Sequence, residues 1–192
     1  RKNIVETAVR EVAPNLSLLP ATQRMEPFKD MIKTNSRRPL DVLKAILAPI
    51  QKNYDYLIID CPADLSVYVE NAIEMSDGVL CPTTFDLYGL DGLSLLIPVL
   101  LEIKGDDFAN YRVLYTMHNA RATKIQEDIS NHAKMLDSMW KVLPFKIPID
   151  QSVKNSQAKH HDLISNPAYR NSQARHAYTK LGEYVLENWS EA

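Results

Sequence analysis

Two hydrophobic periods take turns along this chain. Short continuous apolar runs alternate with longer stretches in which apolar residues return every three or four positions. The first kind reads as strand and the second as amphipathic helix. The clearest run is Tyr54-Asp-Tyr-Leu-Ile-Ile-Asp60. So short a run before a helical pattern fits a strand covered on both faces of a sheet. Further strands are predicted at Leu16–Leu19, Gly78–Pro82, Tyr111–Thr116 and Val142–Ile147. Helices are predicted at Asn3–Val12, Gln23–Lys33, Leu40–Ile50, Leu65–Ser76, Leu90–Ile103, Ala122–Ser138, Asn155–Ile164 and Asn171–Trp189. Pro39 stands where the first turn of a helix tolerates proline, whereas Pro98 falls inside a helical pattern and should loosen it. In the last helix Ala174, Ala177, Tyr178, Leu181, Tyr184, Val185 and Trp189 share one face.

Strands alternating with helices imply right-handed βαβ units, an α/β fold with a mostly parallel sheet and helices on both faces. A chain of 192 residues suits one such domain. Ligands in sheets of this kind bind beyond the carboxyl ends of the strands. Five loops should gather there: Pro20–Thr22, Asp60–Asp64, Pro82–Asp86, Thr116–Arg121 and Pro148–Lys154. Composition is ordinary for a globular protein, with 45% apolar and 24% charged residues. A formal net charge of -2 means that nucleic-acid binding would have to come from a local basic patch. No apolar run approaches the ~20 residues of a membrane span. Two cysteines, Cys61 and Cys81, do not make a disulfide framework and agree with a reducing cytosol.

The chemistry concentrates at Asp60-Cys61-Pro62-Ala63-Asp64. Asp60 ends a buried strand, so its carboxylate would project into the ligand crevice. An aspartate there holds Mg²⁺ in nucleotide-binding sheets, directly or through water. It could equally cap the next helix or merely end the strand. Asp64 reads as a cap for the helix from Leu65, as do Asp86 and Asp91 for the helix after them. Asn119 offers both donor and acceptor, as base recognition requires, and is also a common turn residue. No histidine has zinc-like spacing with the cysteines. Cys61 reads as a buried structural thiol. Lys154, Lys159, Arg170, Arg175 and Lys180 form a loose basic series, either a solvated face or a contact for phosphate backbones. No G-x-x-x-x-G-K-[ST] occurs, and the first glycine is Gly78.

Taken in order, several segments resemble the ParA/Soj partition ATPases of the deviant Walker A (MinD/ParA) group. Tyr54–Ser66 is similar to "YDFVLIDCPPSLG". Asn71-Ala72 with Ser76–Pro82 is similar to "NAL…ADGVLVPV", and Leu87–Gly92 to "YYALEG". Asn15–Ala21 resembles "GLDLLPA", Leu114–Asn119 resembles "LVTMYD", and Ile147-Pro148 resembles the start of "IPR". The matches keep order and spacing over nearly the whole chain, so residues 1–192 read as the C-terminal portion of one ParA-like ATPase domain. The resemblance implies a cytoplasmic, nucleoid-associated ATP hydrolase that uses ATP and Mg²⁺. It implies a nucleotide-dependent homodimer, non-specific DNA binding, a ParB-like centromere-binding partner and no membrane attachment, with plasmid or chromosomal DNA as cargo. It places Asp60 at the Walker B aspartate, near Mg²⁺ and the attacking water, and Asn119 and Pro148 at the adenine. It places Lys154 near a basic DNA-binding position; Lys159, Arg170 and Arg175 are the other DNA-binding candidates.

Two positions depart from the family pattern: Ala63 replaces a second proline and Ile149 replaces an arginine. The family's "KGGxGKT" and "DxDPQ" segments are expected upstream of Arg1. Without them the piece is expected to be inactive, and unstable unless another chain supplies the central strand. Two other readings remain open. A MinD-like membrane-positioning ATPase would need a basic amphipathic C-terminal helix, whereas Glu183–Ala192 carries three glutamates and no Lys or Arg. A truncated, non-catalytic relative would act as a binding or regulatory module.

Overall fold

The computed structural model of the chain describes residues 4–22, 25, 27–119 and 140–189. The helix expected at Ala122–Ser138 lies outside them. The chain divides into two compact units. The first runs to Ser76 and takes in Glu102–Gly105; the second comprises Asp77–Leu101 and the chain from Asp106 onward.

The first unit opens with a short helix α1 (Ile4–Ala8) and an antiparallel ribbon of β1 (Arg10–Ala13) and β2 (Leu16–Leu18). A single helix was expected over Asn3–Val12, and β2 was expected in a parallel sheet. The reason for the difference is local. Pro14-Asn15 turns the chain, with Asn15 at φ 60, a left-handed conformation that asparagine tolerates. Helices α2 (Phe28–Asn35), α3 (Val42–Gln51) and α4 (Val67–Met75) complete the unit, with a 3₁₀ turn at Pro39–Asp41 leading into α3.

One buried side chain joins these last elements. Asn71, 2% exposed, donates to the carbonyls of Pro39 (2.8 Å) and Val67 (2.7 Å) and accepts from Leu43 N (3.0 Å). It therefore satisfies a free N–H at the start of α3 from across the interface with α4.

The strand expected at Tyr54–Asp60 does not form. No residue there joins a ladder, and Ile58 is 93% exposed. An apolar run becomes a strand only when neighbours take its N–H and C=O groups, and among the described residues none does.

The second unit holds the sheet. Strands β3 (Val79–Thr84) and β4 (Tyr111–Thr116) pair in parallel from Val79↔Tyr111 to Thr84↔Thr116. Helix α5 (Leu87–Lys104) connects them and buries Leu90, Leu93, Ile97 and Leu100, a stripe of helical period. Pro98 sits inside it without ending it. Gly105, at φ 95, terminates the helix in the left-handed conformation that glycine permits. The segment expected as a strand at Val142–Ile147 runs parallel to β4 through two isolated bridges, Val113↔Val142 and His118↔Pro148. Helices α6 (Gln151–Ala158) and α7 (Gln173–Trp189) follow. Ala174 and Ala177 of α7 pack on Leu114, Leu143 and Ile147, with Leu80, Leu181 and Tyr184 at the margin. Tyr178 stays 38% exposed, outside the buried face expected of it. Among the described residues no helix is long and apolar enough to cross a membrane.

Candidate functional site

The carboxyl ends of β4 and of the bridged segment beside it form the best-defined part of the site. His118 N donates to Ile147 O, and Ile149 N donates back to His118 O, each at 3.0 Å. This exchange sets Asn119, exposed, beside Pro148, half-buried. Two residues expected at an adenine, far apart in sequence, are thus neighbours at a strand end. Met117, at φ 53, makes the turn that lifts this loop off the strand.

His118 belongs to the same corner. Its Nδ1 is buried and has no hydrogen-bond partner among the described residues. Burial, and then the charge of Lys146, hold its pKa below the usual histidine value. Both effects favour the neutral ring. Lys146 lies 4.3 Å from the Phe85 ring centroid and 5.4 Å from that of Tyr115. The two rings meet edge to face at 4.8 Å and hold the lysine by cation–π attraction.

Asp150 follows directly and was missed as a site residue. One carboxylate oxygen accepts from Ser152 N at 2.8 Å and caps α6. The other accepts from the Ser172 hydroxyl at 2.7 Å and from Ala174 N at 3.1 Å. Burial raises its pKa, but these hydrogen bonds outweigh burial and hold it well below the carboxylate range. The Asp-x-Ser spacing of residues 150–152 was the available signal for half of this arrangement.

The basic candidates follow the same cap. Lys154 is exposed on α6, and Lys159 stands exposed at that helix's C-terminal end. Arg170 is exposed after a 3₁₀ turn at Pro167–Tyr169, and Arg175 is half-buried in the first turn of α7. A groove of about 330 Å³ is lined by Lys146, Pro148, His176 and Lys180 among others. A second, of about 380 Å³, shares His176 and Lys180 and adds Arg170, Arg175 and Thr179. Arg170 and Arg175 thus converge with Lys180 along one side of α7, and Glu183 closes the far end.

Asp60 lies in the first unit and is exposed. Beside it Cys61 is exposed rather than buried as expected. Its pKa is raised, first by partial desolvation and then by the carboxylates of Asp60 and Asp64, so the thiol is not an activated nucleophile. Cys81 is the buried thiol, pushed up to about 12 by burial. Asp64 accepts from Ser66 N at 3.0 Å just before α4, close to its expected capping role. Asp86 accepts from Gly89 N at 2.8 Å and caps α5 as expected, whereas Asp91 lies inside that helix.

Among the described residues no three His, Cys, Asp or Glu side chains gather as a metal cage. Mg²⁺ needs none, because it keeps water and phosphate ligands and takes one or two carboxylates. Asp60 offers one exposed carboxylate of that kind, but the strand expected to carry it to a ligand crevice does not form. The orphaned His118 Nδ1 beside Asn119 and Pro148 fits a heterocyclic base.

Comparison with known proteins bears on the family and the fold. Residues 1–114 match the family model described as an AAA domain. The Bacillus subtilis sporulation initiation inhibitor protein Soj is 28% identical over 196 residues, covering 97% of this chain and 73% of that protein. A putative plasmid partition protein of Borrelia burgdorferi bound to AMPPNP superposes with a TM-score of 0.73 at 20% identity, covering 96% of this chain and 74% of that one. Cobyrinic acid a,c-diamide synthase of Mycobacterium smegmatis, solved with an ATP analogue and magnesium, gives a TM-score of 0.73 at 19% identity over 97% and 68% of the two chains. These structures show that the fold is an α/β fold of the P-loop NTPase kind. Since the family model covers more than half of the chain, and Soj aligns along nearly all of it, this protein belongs to the AAA domain family and is of the ParA/Soj type.

Proposed function

We propose that this chain is the C-terminal portion of a ParA-type ATPase that partitions plasmid or chromosomal DNA through ATP-dependent dimerisation and non-specific DNA binding. The observation that carries the reading is the pairing of the Asn119 loop with Pro148 at the strand ends, followed in sequence by Lys154 on α6, Arg170 after the 3₁₀ turn and Arg175 on α7. A base site and a basic surface are consecutive on one stretch of chain. In the complete protein Asn119 and Pro148 hold the adenine edge and face. Asp60 holds Mg²⁺, directly or through water, and orients the attacking water. ATP supplies the free energy of the cycle. The basic residues bind phosphates, contacts that position a protein on DNA without carrying sequence information. A homodimer, a ParB-like stimulating partner and a cytoplasmic, nucleoid-associated location belong to the same proposal.

The test uses the full-length protein and a random-sequence duplex. ATP-dependent binding should weaken steeply as salt rises, because each neutralised phosphate releases counterions. Binding indifferent to both nucleotide and salt would sink the reading. Sedimentation with anionic lipid vesicles separates it from a membrane-positioning ATPase, which would pellet with them.

A further inference from the structure

Asp150 stands between two parts of the proposed site, and both of its oxygens are engaged. On its N-terminal side Pro148 and Ile149 are tied to His118, so the backbone entering Asp150 is fixed by the base-facing loop. On its C-terminal side it caps α6, which carries Lys154. Across 22 residues of sequence it holds the Ser172 hydroxyl, and across 24 the first turn of α7. Ser172 is 5% exposed, and its hydroxyl oxygen in turn accepts from Arg175 N at 3.1 Å. In sequence these bonds link His118 to Ile147 and Ile149, and Asp150 to Ser172, Ala174 and, through Ser172, Arg175, with one carboxylate between the two groups.

We propose that Asp150 is a positioning residue that fixes the basic surface of Lys154, Arg170 and Arg175 relative to the loop of Asn119 and Pro148. The proposal rests on the DNA-binding reading above and goes beyond it, because Asp150 itself touches neither base nor phosphate. Its charge makes the case testable by sign. An anion beside a phosphate-binding surface repels DNA, so removing it should tighten binding if charge is all that matters. If Asp150 positions the cations, removing it should do the opposite. Asparagine at this place keeps the shape but turns an amide N–H₂ toward two donors, the Ser172 O–H and the Ala174 N–H.

The experiment measures binding of the full-length protein with ATP to a random-sequence duplex across a salt series. Asp150→Asn should weaken binding about fivefold or more and lower the slope of log affinity against log salt by about one, as for the loss of one phosphate contact. A merely destabilised variant would lower the active fraction and leave that slope unchanged. Asp150→Ser can still cap α6 but cannot hold Ser172 and Ala174 together, so it should behave like Asn. Full recovery by Ser would reduce Asp150 to a helix cap and overturn the proposal. Ser172→Ala cuts one arm and spares the α6 cap; it carries the test should the Asp150 variants fail to fold, and it too should flatten the slope. Wild-type protein that binds DNA without dependence on nucleotide and salt overturns the DNA-binding reading and this proposal with it. A wild type that behaves as expected, with Asp150→Asn binding as tightly at an unchanged slope, overturns the positioning role alone.

Discussion

Asn71 shows how one residue can hold two helices. Its amide meets three backbone groups, Pro39 O, Val67 O and Leu43 N, in a site from which water is excluded. Truncation leaves at least two of them without a partner, and each unsatisfied buried polar group costs about 1–3 kcal/mol. Asn71→Ala should therefore destabilise the full-length protein by roughly 3 kcal/mol in urea melts. Asn71→Asp should not recover that loss, because it keeps the acceptor for Leu43 N but sets a buried carboxylate oxygen against the Pro39 and Val67 carbonyls. A change smaller than about 0.5 kcal/mol, the size of an ordinary surface substitution, would show that α3 and α4 do not depend on this side chain. Asp86 acts at the same scale through its charge. The hydrogen bond from Gly89 N, then one from Thr84, hold its pKa below the ordinary carboxylate value. A lowered folded-state pKa means stability that is present above the unfolded value near pH 4 and lost as pH falls through the folded one. Asp86→Ala should cost about 1 kcal/mol at pH 7, as caps do. In melts near pH 3 the gap between variant and wild type should narrow, and a gap that stays constant with pH would assign the effect to packing.

At the scale of elements the turn from β3 into α5 leaves no room for a side chain at Gly89. A Cβ on Gly89 would lie 2.3 Å from the Thr84 carbonyl oxygen and 2.5 Å from Thr83 Oγ1. The first is backbone and cannot swing aside. Gly89→Ala should therefore displace the start of α5 and destabilise by about 1–3 kcal/mol, the usual cost of overpacking; an unchanged midpoint in urea would mean that the turn is more open than it stands here. Gly92, three residues on, has no atom within 4 Å of such a Cβ and is the control. Position 89 aligns with the alanine of "YYALEG", so the resemblance located the motif and missed the constraint. Other elements divide along the same line. β4 was legible to the residue, because Tyr111–Thr116 is an apolar run whose partner, β3, is also present. α5 was legible despite Pro98, since its buried stripe outweighs one lost hydrogen bond. The run Tyr54–Asp60 carried the strongest strand pattern and formed no ladder, because pairing depends on a neighbour that a local pattern does not contain. Asn119 and Pro148 were named from residues and resemblance. Their contact through His118, and the two-armed hold of Asp150, come from tertiary geometry that no spacing encodes.

For the molecule as a whole, the candidate residues fall in two units with separable duties. Asp60 belongs to the first; Asn119, Pro148 and the cations on α6 and α7 belong to the second. The overall formal charge of -2 does not draw the chain to DNA, so the proposed binding would have to come from a local concentration of Lys and Arg such as that in the second unit. The proposed hydrolysis, in contrast, would draw on the carboxylate of the first. Loss of Asp60 should then separate the two activities. Asp60 is exposed and supports no packing, so Asp60→Ala should leave circular dichroism and thermal stability of the full-length protein unchanged. Removing a group that orients the attacking water should lower phosphate release by about a hundredfold or more, in keeping with the usual contribution of a positioned acid or base. On the proposed cycle, in which release follows hydrolysis, DNA binding with ATP present should persist in that variant, and persist longer than in wild type once ATP is limiting. Arg170→Glu with Arg175→Glu should do the reverse: phosphate release without DNA remains near wild type, while DNA affinity collapses and its salt slope falls by about two. Turnover undiminished in Asp60→Ala would remove that residue from the site. Both activities lost together in each variant would show that the two units do not divide the work.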